Sequence, residues 1–151
     1  MAASQSIDEL ITGLEQSIDA GLGHFARLWD TGQIKMGKWG PRETLCHLMW
    51  WIQATAEGIE SVTSGGKPYR IYASDEEMNA RAVGRVAGRT IPELADMTRV
   101  LQARLVTATR DVSDLSATVL IHGDGREDSV RQRFETMTHD WNACAEELQT
   151  V

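Results

Sequence analysis

A chain of 151 residues with 42% hydrophobic and 25% charged residues is composed for one folded domain with a real core, which excludes a disordered polymer. Its formal net charge of −7 argues against a nucleic-acid backbone as partner, because phosphate binding needs a concentrated positive face. No apolar run approaches the roughly 18 residues needed to cross a bilayer, and Met1–Leu10 lacks a basic stretch leading into an apolar one, so a soluble cytoplasmic protein is expected.

The chain opens with a helical pattern. Ile7, Leu10, Ile11, Leu14, Ile18, Leu22, Phe25 and Leu28 follow the three-and-four rhythm of an amphipathic helix, and Ser6 with Glu9 has capping-box spacing, which predicts a helix over Ser6–Trp29. Gly32, Gly37 and Gly40 then break the chain. Pro41, placed where its missing N–H costs nothing, opens a second helix over Pro41–Val62 that stops at Ser64-Gly65-Gly66. Lys67–Ala73 reads as an irregular connector.

Ser74 with Glu77 predicts a short helix near Asp75–Val86, and Thr90 with Glu93 predicts a long one over Ile91–Arg110. Val112–Ile121 is a connector with some strand character at Thr118-Val119-Leu120-Ile121. Asp124 and Glu127 have capping spacing ahead of a last helix over Arg126–Leu148, whose apolar stripe runs through Val130, Phe134, Met137 and Trp141. The expected fold is an all-α four-helix bundle over residues 1–151, with antiparallel helices and a long crossover carrying a short extra helix between helices two and three.

Three residues could carry metal chemistry. His47 lies on the second helix, ahead of Trp50 and Trp51, while Glu135 and His139 sit four residues apart on one face of the last. Two ligands from one helix turn and a third from a facing helix can hold a divalent ion and leave a position open. The opposing reading is that His47 is a boundary residue of an apolar face. Glu135 and His139 also point roughly away from the apolar stripe of their own helix, so the site requires a cleft off the main core. Trp50, Trp51 and Tyr69 can wall an organic substrate, and His122 in a turn can serve as a lid or supporting group. Cys46 and Cys144 have no CxxC spacing and read as reduced core residues. No phosphate loop, nucleophile elbow or HExxH run is present.

The stretch Trp39-Gly40-Pro41-Arg42-Glu43-Thr44-Leu45-Cys46-His47-Leu48 resembles the tryptophan-before-a-helix and His-Leu signature of the DinB-like superfamily. That group includes the mycothiol-dependent maleylpyruvate isomerase N-terminal domains, bacillithiol transferases and colibactin self-resistance (ClbS/DfsB-like) proteins. Asp75–Gly88 followed by Thr90–Leu105 looks like that group's short Asn-containing helix leading into helix three, and Glu135-x-x-x-His139 is similar to the ExxxH of the isomerase branch. The resemblance implies a metal-dependent, thiol-using transferase, isomerase or hydrolase acting on a small electrophilic or xenobiotic molecule. His47, Glu135 and His139 would hold Zn²⁺ or Ni²⁺, with a low-molecular-weight thiol as co-substrate. The self-resistance branch implies the alternative, a metal-free protein that binds a small molecule. The segment Asp140-Trp141-Asn142 departs from the thiol-transferase pattern. Five Trp and a wide apolar face on the second helix, together with the pairing of relatives through helices, point to a homodimer.

Overall fold

The computed structural model describes residues 6–28 and 40–149. The end of the first helix at Trp29 and the Trp39 of the signature lie outside the described residues. The elements are α1 (Ile7–Leu28), α2 (Pro41–Thr63), β1 (Tyr69–Arg70), α3 (Asp75–Arg85), α4 (Ile91–Arg110), β2 (Thr118–Ile121), β3 (Glu127–Ser129) and α5 (Val130–Gln149). The first three long helices and the short one stand where the apolar rhythm and caps put them, and the last covers most of its expected span. Both halves of the Thr90/Glu93 capping box form, the Ser6/Glu9 box closes at 3.2 Å in each direction, and Ser74 accepts the Glu77 amide at 3.1 Å. None of the described helices is long and apolar enough to cross a membrane.

Two expectations are corrected. The fold is mostly helical without being purely α: three short strands form a sheet in the order β1-β2-β3, β1 parallel to β2 and β2 antiparallel to β3. Lys67–Ala73 therefore contains a strand, Tyr69 paired with Leu120 and Arg70 with Ile121. The last helix also begins later than predicted. Asp124 does not cap it; its carboxylate accepts the Arg126 amide at 3.0 Å and the Arg126 Nε at 2.8 Å, closing the turn between β2 and β3. The true cap is Ser129, whose hydroxyl accepts the Gln132 amide at 3.2 Å while the Gln132 side chain accepts the Ser129 amide at 2.8 Å. Acidic residues at the right spacing imitate a cap when a hairpin turn uses them instead.

Helix α1 packs chiefly against α5 and α2 chiefly against α4. The main core runs through Leu14, Ile18 and Phe25 of α1, Leu45, Ile52 and Ile59 of α2, Leu94 and Leu105 of α4, and Phe134 and Trp141 of α5. Phe25 meets Trp141 edge to face at 6.4 Å. Gly21 gives that indole its space, since a Cβ there would stand 2.6 Å from the ring. A second, smaller cluster joins Trp50, Trp51 and Ala54 of α2 to Ile71, Ala82 and Leu120. Strand β2 links the two, because successive strand residues face opposite ways: Val119 enters the main core and Leu120 the second cluster. Its backbone lies hard against α2, where a Cβ on Gly58 would sit 2.1 Å from the Val119 carbonyl oxygen. That close approach brings the residue after β2, His122, over the same side of α2 as Trp51.

Candidate functional site

The polar groups converge where α2, the start of α3, the β2–β3 hairpin and α5 meet. Trp51 is at the centre. Its indole N–H donates to Asn79 Oδ1 of α3 at 2.9 Å, His122 lies 5.7 Å from its ring, and the Arg133 guanidinium of α5 sits 5.0 Å over its face. Arg133 is 3% exposed. It donates to Asp128 Oδ2 at 3.1 Å and to Thr55 Oγ1 at 3.2 Å, and the Thr55 hydroxyl in turn donates to the Trp51 carbonyl at 2.8 Å. A buried guanidinium is tolerable only when its donors are satisfied in this way.

His122 bridges two carboxylates. Its Nε2 lies 2.8 Å from Asp128 Oδ2 and its Nδ1 3.1 Å from Asp75 Oδ1. Arg126 reaches the other Asp75 oxygen at 3.2 Å, which ties the hairpin to the first turn of α3. Burial raises the Asp128 carboxyl, but hydrogen bonds from His122 and Arg133 outweigh it and hold the group below its ordinary range. Burial also pushes the Arg133 guanidinium down, against the pull of Asp128.

His47 occupies the same face of α2 one turn before Trp51. Burial holds its imidazole below the ordinary value, opposed by the charge of Asp140 on α5, by Asn79 and by Asp75. The ring is therefore neutral near pH 7, within the field of one carboxylate from the facing helix. Asp140 keeps 44% of its side chain exposed. Neither cysteine joins this site. Both are buried free thiols, pushed up to about 11 for Cys46 by burial and Glu43, and to about 12 for Cys144 by burial and Glu147. Neither is poised as a thiolate.

The structure does not bring His47, Glu135 and His139 together. Glu135 and His139 are exposed and line a shallow groove with Glu9 and Gly13 of α1 and Asn142 of α5. The α5 residue acting on His47 is Asp140, one position after His139 and therefore about 100° around the helix. Among the described residues no group of three His, Cys, Asp or Glu side chains could hold a metal ion. Among the described residues, those expected to form a three-ligand cage do not gather into one. The three residues read as a substrate wall and His122 lie side by side: Trp51 contacts His122, Trp50 contacts Trp51 at 4.8 Å, and Tyr69 contacts Trp50 at 6.3 Å. They are mostly buried, as the packed backing of the site.

Asp128 and Arg133 were not legible as site residues. One signal existed for Arg133: it falls beside Phe134 and one turn before Met137, at the edge of the apolar stripe, where a cation needs a buried partner.

The arrangement of α1, α2, α4 and α5 with the inserted α3 is consistent with a DinB-like fold. Two crystal structures of mycothiol-dependent maleylpyruvate isomerase, one a histidine-to-alanine mutant, superpose at a TM-score of 0.77 with 14% and 15% identity. The match covers 95% of this chain and 61% of the isomerase chains, so the present chain spans less than two thirds of their length. An uncharacterised protein from Clostridium difficile 630 superposes at 0.76 with 11% identity, over 99% of this chain and 96% of that one. At these identities the likeness is one of fold. No family model matches the sequence, and no curated protein matches it.

Proposed function

We propose that this chain is an enzyme that activates a low-molecular-weight thiol or a water for attack on a small electrophilic molecule, with His47 as the base. What supports the reading is the burial of the His47 imidazole, which favours its neutral form, with Asn79 beside it and the charge of Asp140 acting on it. A neutral ring can take the proton of an S–H or O–H, and the carboxylate then stabilises the imidazolium that forms. The nucleophile's electron pair forms the new bond to the electrophilic carbon as a π bond at that carbon opens, and His47 returns the proton to the atom that receives the π electrons. Trp51, fixed by Asn79, Thr55, Arg133 and His122, holds the α2 turn from which His47 projects. The shared fold with a thiol-dependent isomerase supports the thiol as nucleophile.

The test is thiol consumption against a panel of small electrophiles. His47→Gln should lower kcat/KM by about 10²–10⁴-fold with circular dichroism unchanged, and Asp140→Asn should lower it less. The metal-dependent form of the reading, with Zn²⁺ or Ni²⁺ on His47, Glu135 and His139, has the resemblance alone behind it. Stoichiometric metal in untagged protein, lost in both His47→Ala and His139→Ala, would make His47 a ligand and overturn the base.

One observation favours a binding-only protein. Asp75, Asp128, Arg126, Arg133 and His122 pair among themselves, leaving few groups for chemistry. Saturable binding of an electrophile without turnover would select that alternative. Self-association is proposed more weakly, because the Trp-rich face of α2 that suggested a homodimer is covered within the chain, Trp50 at 4% and Trp51 at 8% exposed. A monomer in light scattering at micromolar concentration would remove it.

A further inference from the structure

A different face of α2, through Cys46, Met49, Trp50 and Gln53, borders a groove shared with α3 and α4. Its volume is about 420 Å³, within the range of small-molecule sites. The floor is buried: Cys46 is 2% exposed, Met49 5% and Ala82 3%. Met97, Leu101 and Val86 complete apolar walls that methionines can adjust to irregular shapes. A second hollow continues past Trp50 along α3, lined by Met78, Arg81 and Arg85.

The charge at the rim is one-sided. Arg85 lines both hollows and forms no ion pair with any described residue, whereas Arg81 is held by Glu77 at 3.2 Å. Glu57, which together with Arg85 acts on Tyr69, is turned toward Gln53 at 3.4 Å and is not paired with Arg85. We propose that this groove is a ligand site separate from the His47 face, taking a small molecule with an apolar aryl or alkyl body and a single anionic head, with Arg85 as the counter-ion. A deep floor and a lone rim guanidinium suit such a molecule better than a second copy of the chain. A stable interface buries roughly 800 Å² on each partner, and among the described residues bordering the groove Val100, 70% exposed, is the only large hydrophobic side chain that stands out to solvent.

The probe is 8-anilinonaphthalene-1-sulfonate, titrated into the full chain while its emission and the quenching of tryptophan are followed. One saturable site per chain is expected. Decanoate should compete, and decyltrimethylammonium, with the same tail and the opposite charge, should not. Arg85→Gln should weaken binding by about tenfold. Val100→Trp, at the exposed rim, should weaken it by a similar factor by crowding the mouth. Both positions are exposed, so near-ultraviolet circular dichroism should stay native. His47→Ala should leave binding unchanged, which separates this site from the proposed base. Undiminished binding in Arg85→Gln, equal competition by the cation, or no saturable binding to the folded chain would each overturn the proposal. So would a dimer that Val100→Glu dissolves, since the groove would then be an interface between copies.

Discussion

Helix α2 separates two interiors built on different principles. Toward α1, α4 and α5 its residues Leu45, Ile52 and Ile59 enter a large apolar core in which stability follows buried area. Toward α3 and the hairpin, Trp50 and Trp51 enter a small cluster, and the polar groups beside it are satisfied only as a set. The first interior tolerates any residue of fitting volume. The second requires particular atoms at particular distances, and removing one partner strands the others. A site for chemistry is more readily kept in the second kind, where geometry is fixed by hydrogen bonds.

The largest expected effect belongs to the apolar side. Trp141→Ala should cost about 3–5 kcal/mol in denaturant unfolding, because a fully buried indole leaves a cavity between α1 and α5. A loss below about 1 kcal/mol would show that this core collapses freely. On the polar side Arg133→Ala should cost about 3 kcal/mol by exposing Asp128 and Thr55 to burial without their donor. Arg133→Lys should recover little, since a point charge cannot donate to both. If lysine rescues fully, the geometry of the set matters less than its charge.

Gly58→Ala sits at the boundary of the two interiors. It should destabilise by about 1–3 kcal/mol despite the better helix former, because the opposing atom is backbone of β2.

Titration separates the two sides further. His47 is held neutral in the fold, so an unfolded chain that takes a proton below its ordinary value of 6.5 is favoured as pH falls. Stability should therefore decline below pH 6.5 toward the lowered folded value, by at most about 1.4 kcal/mol per pH unit for this one proton. His47→Gln should flatten that slope. Asp128 works in a lower window: its depressed carboxyl contributes stability present above its ordinary value of 3.8 and lost as pH falls through the folded value. A Trp141 variant should show both slopes unchanged. The smallest effect belongs to the surface: Arg104→Ala, although it breaks a two-pronged contact with Glu60 at 2.9 and 2.6 Å, should cost under about 1 kcal/mol, because both side chains are more than a third exposed.

The apolar interior was the legible one. Its helices are set by local rhythm and by caps three residues apart, so α4 falls at Ile91–Arg110, as the pattern of Thr90, Glu93 and the Leu94–Leu105 stripe requires. The sheet was legible only as some strand character at Thr118–Ile121, because β1 is two residues long and pairs with a partner some fifty positions away. The candidate site was read from spacing, and spacing places Glu135 and His139 together on α5 without saying which way that face turns. The apolar stripe through Phe134 and Trp141 already pointed it away from the core, and the structure sets it in a groove beside Glu9 and Gly13 of α1. Asp128 and Arg133 depend on a strand-to-helix junction that no local pattern marks.

The order in which the chain supplies the polar partners has a kinetic meaning. Trp51 and Asn79 lie 28 residues apart, Asp75 and His122 lie 47 apart, and Thr55 and Arg133 lie 78 apart. Each link returns little free energy until the others are in place, because each buried polar group is satisfied only by the rest of the set. The hairpin should dock after α1, α2 and α4 have associated, and it should be the first part to open under mild denaturant. Hydrogen exchange would read this as faster loss of protection at the His122 amide, bonded to the Arg126 carbonyl at 2.8 Å, than at Ile52. A ligand that touches the hairpin would then be felt as slower opening of one corner of the molecule while the rest breathes as before.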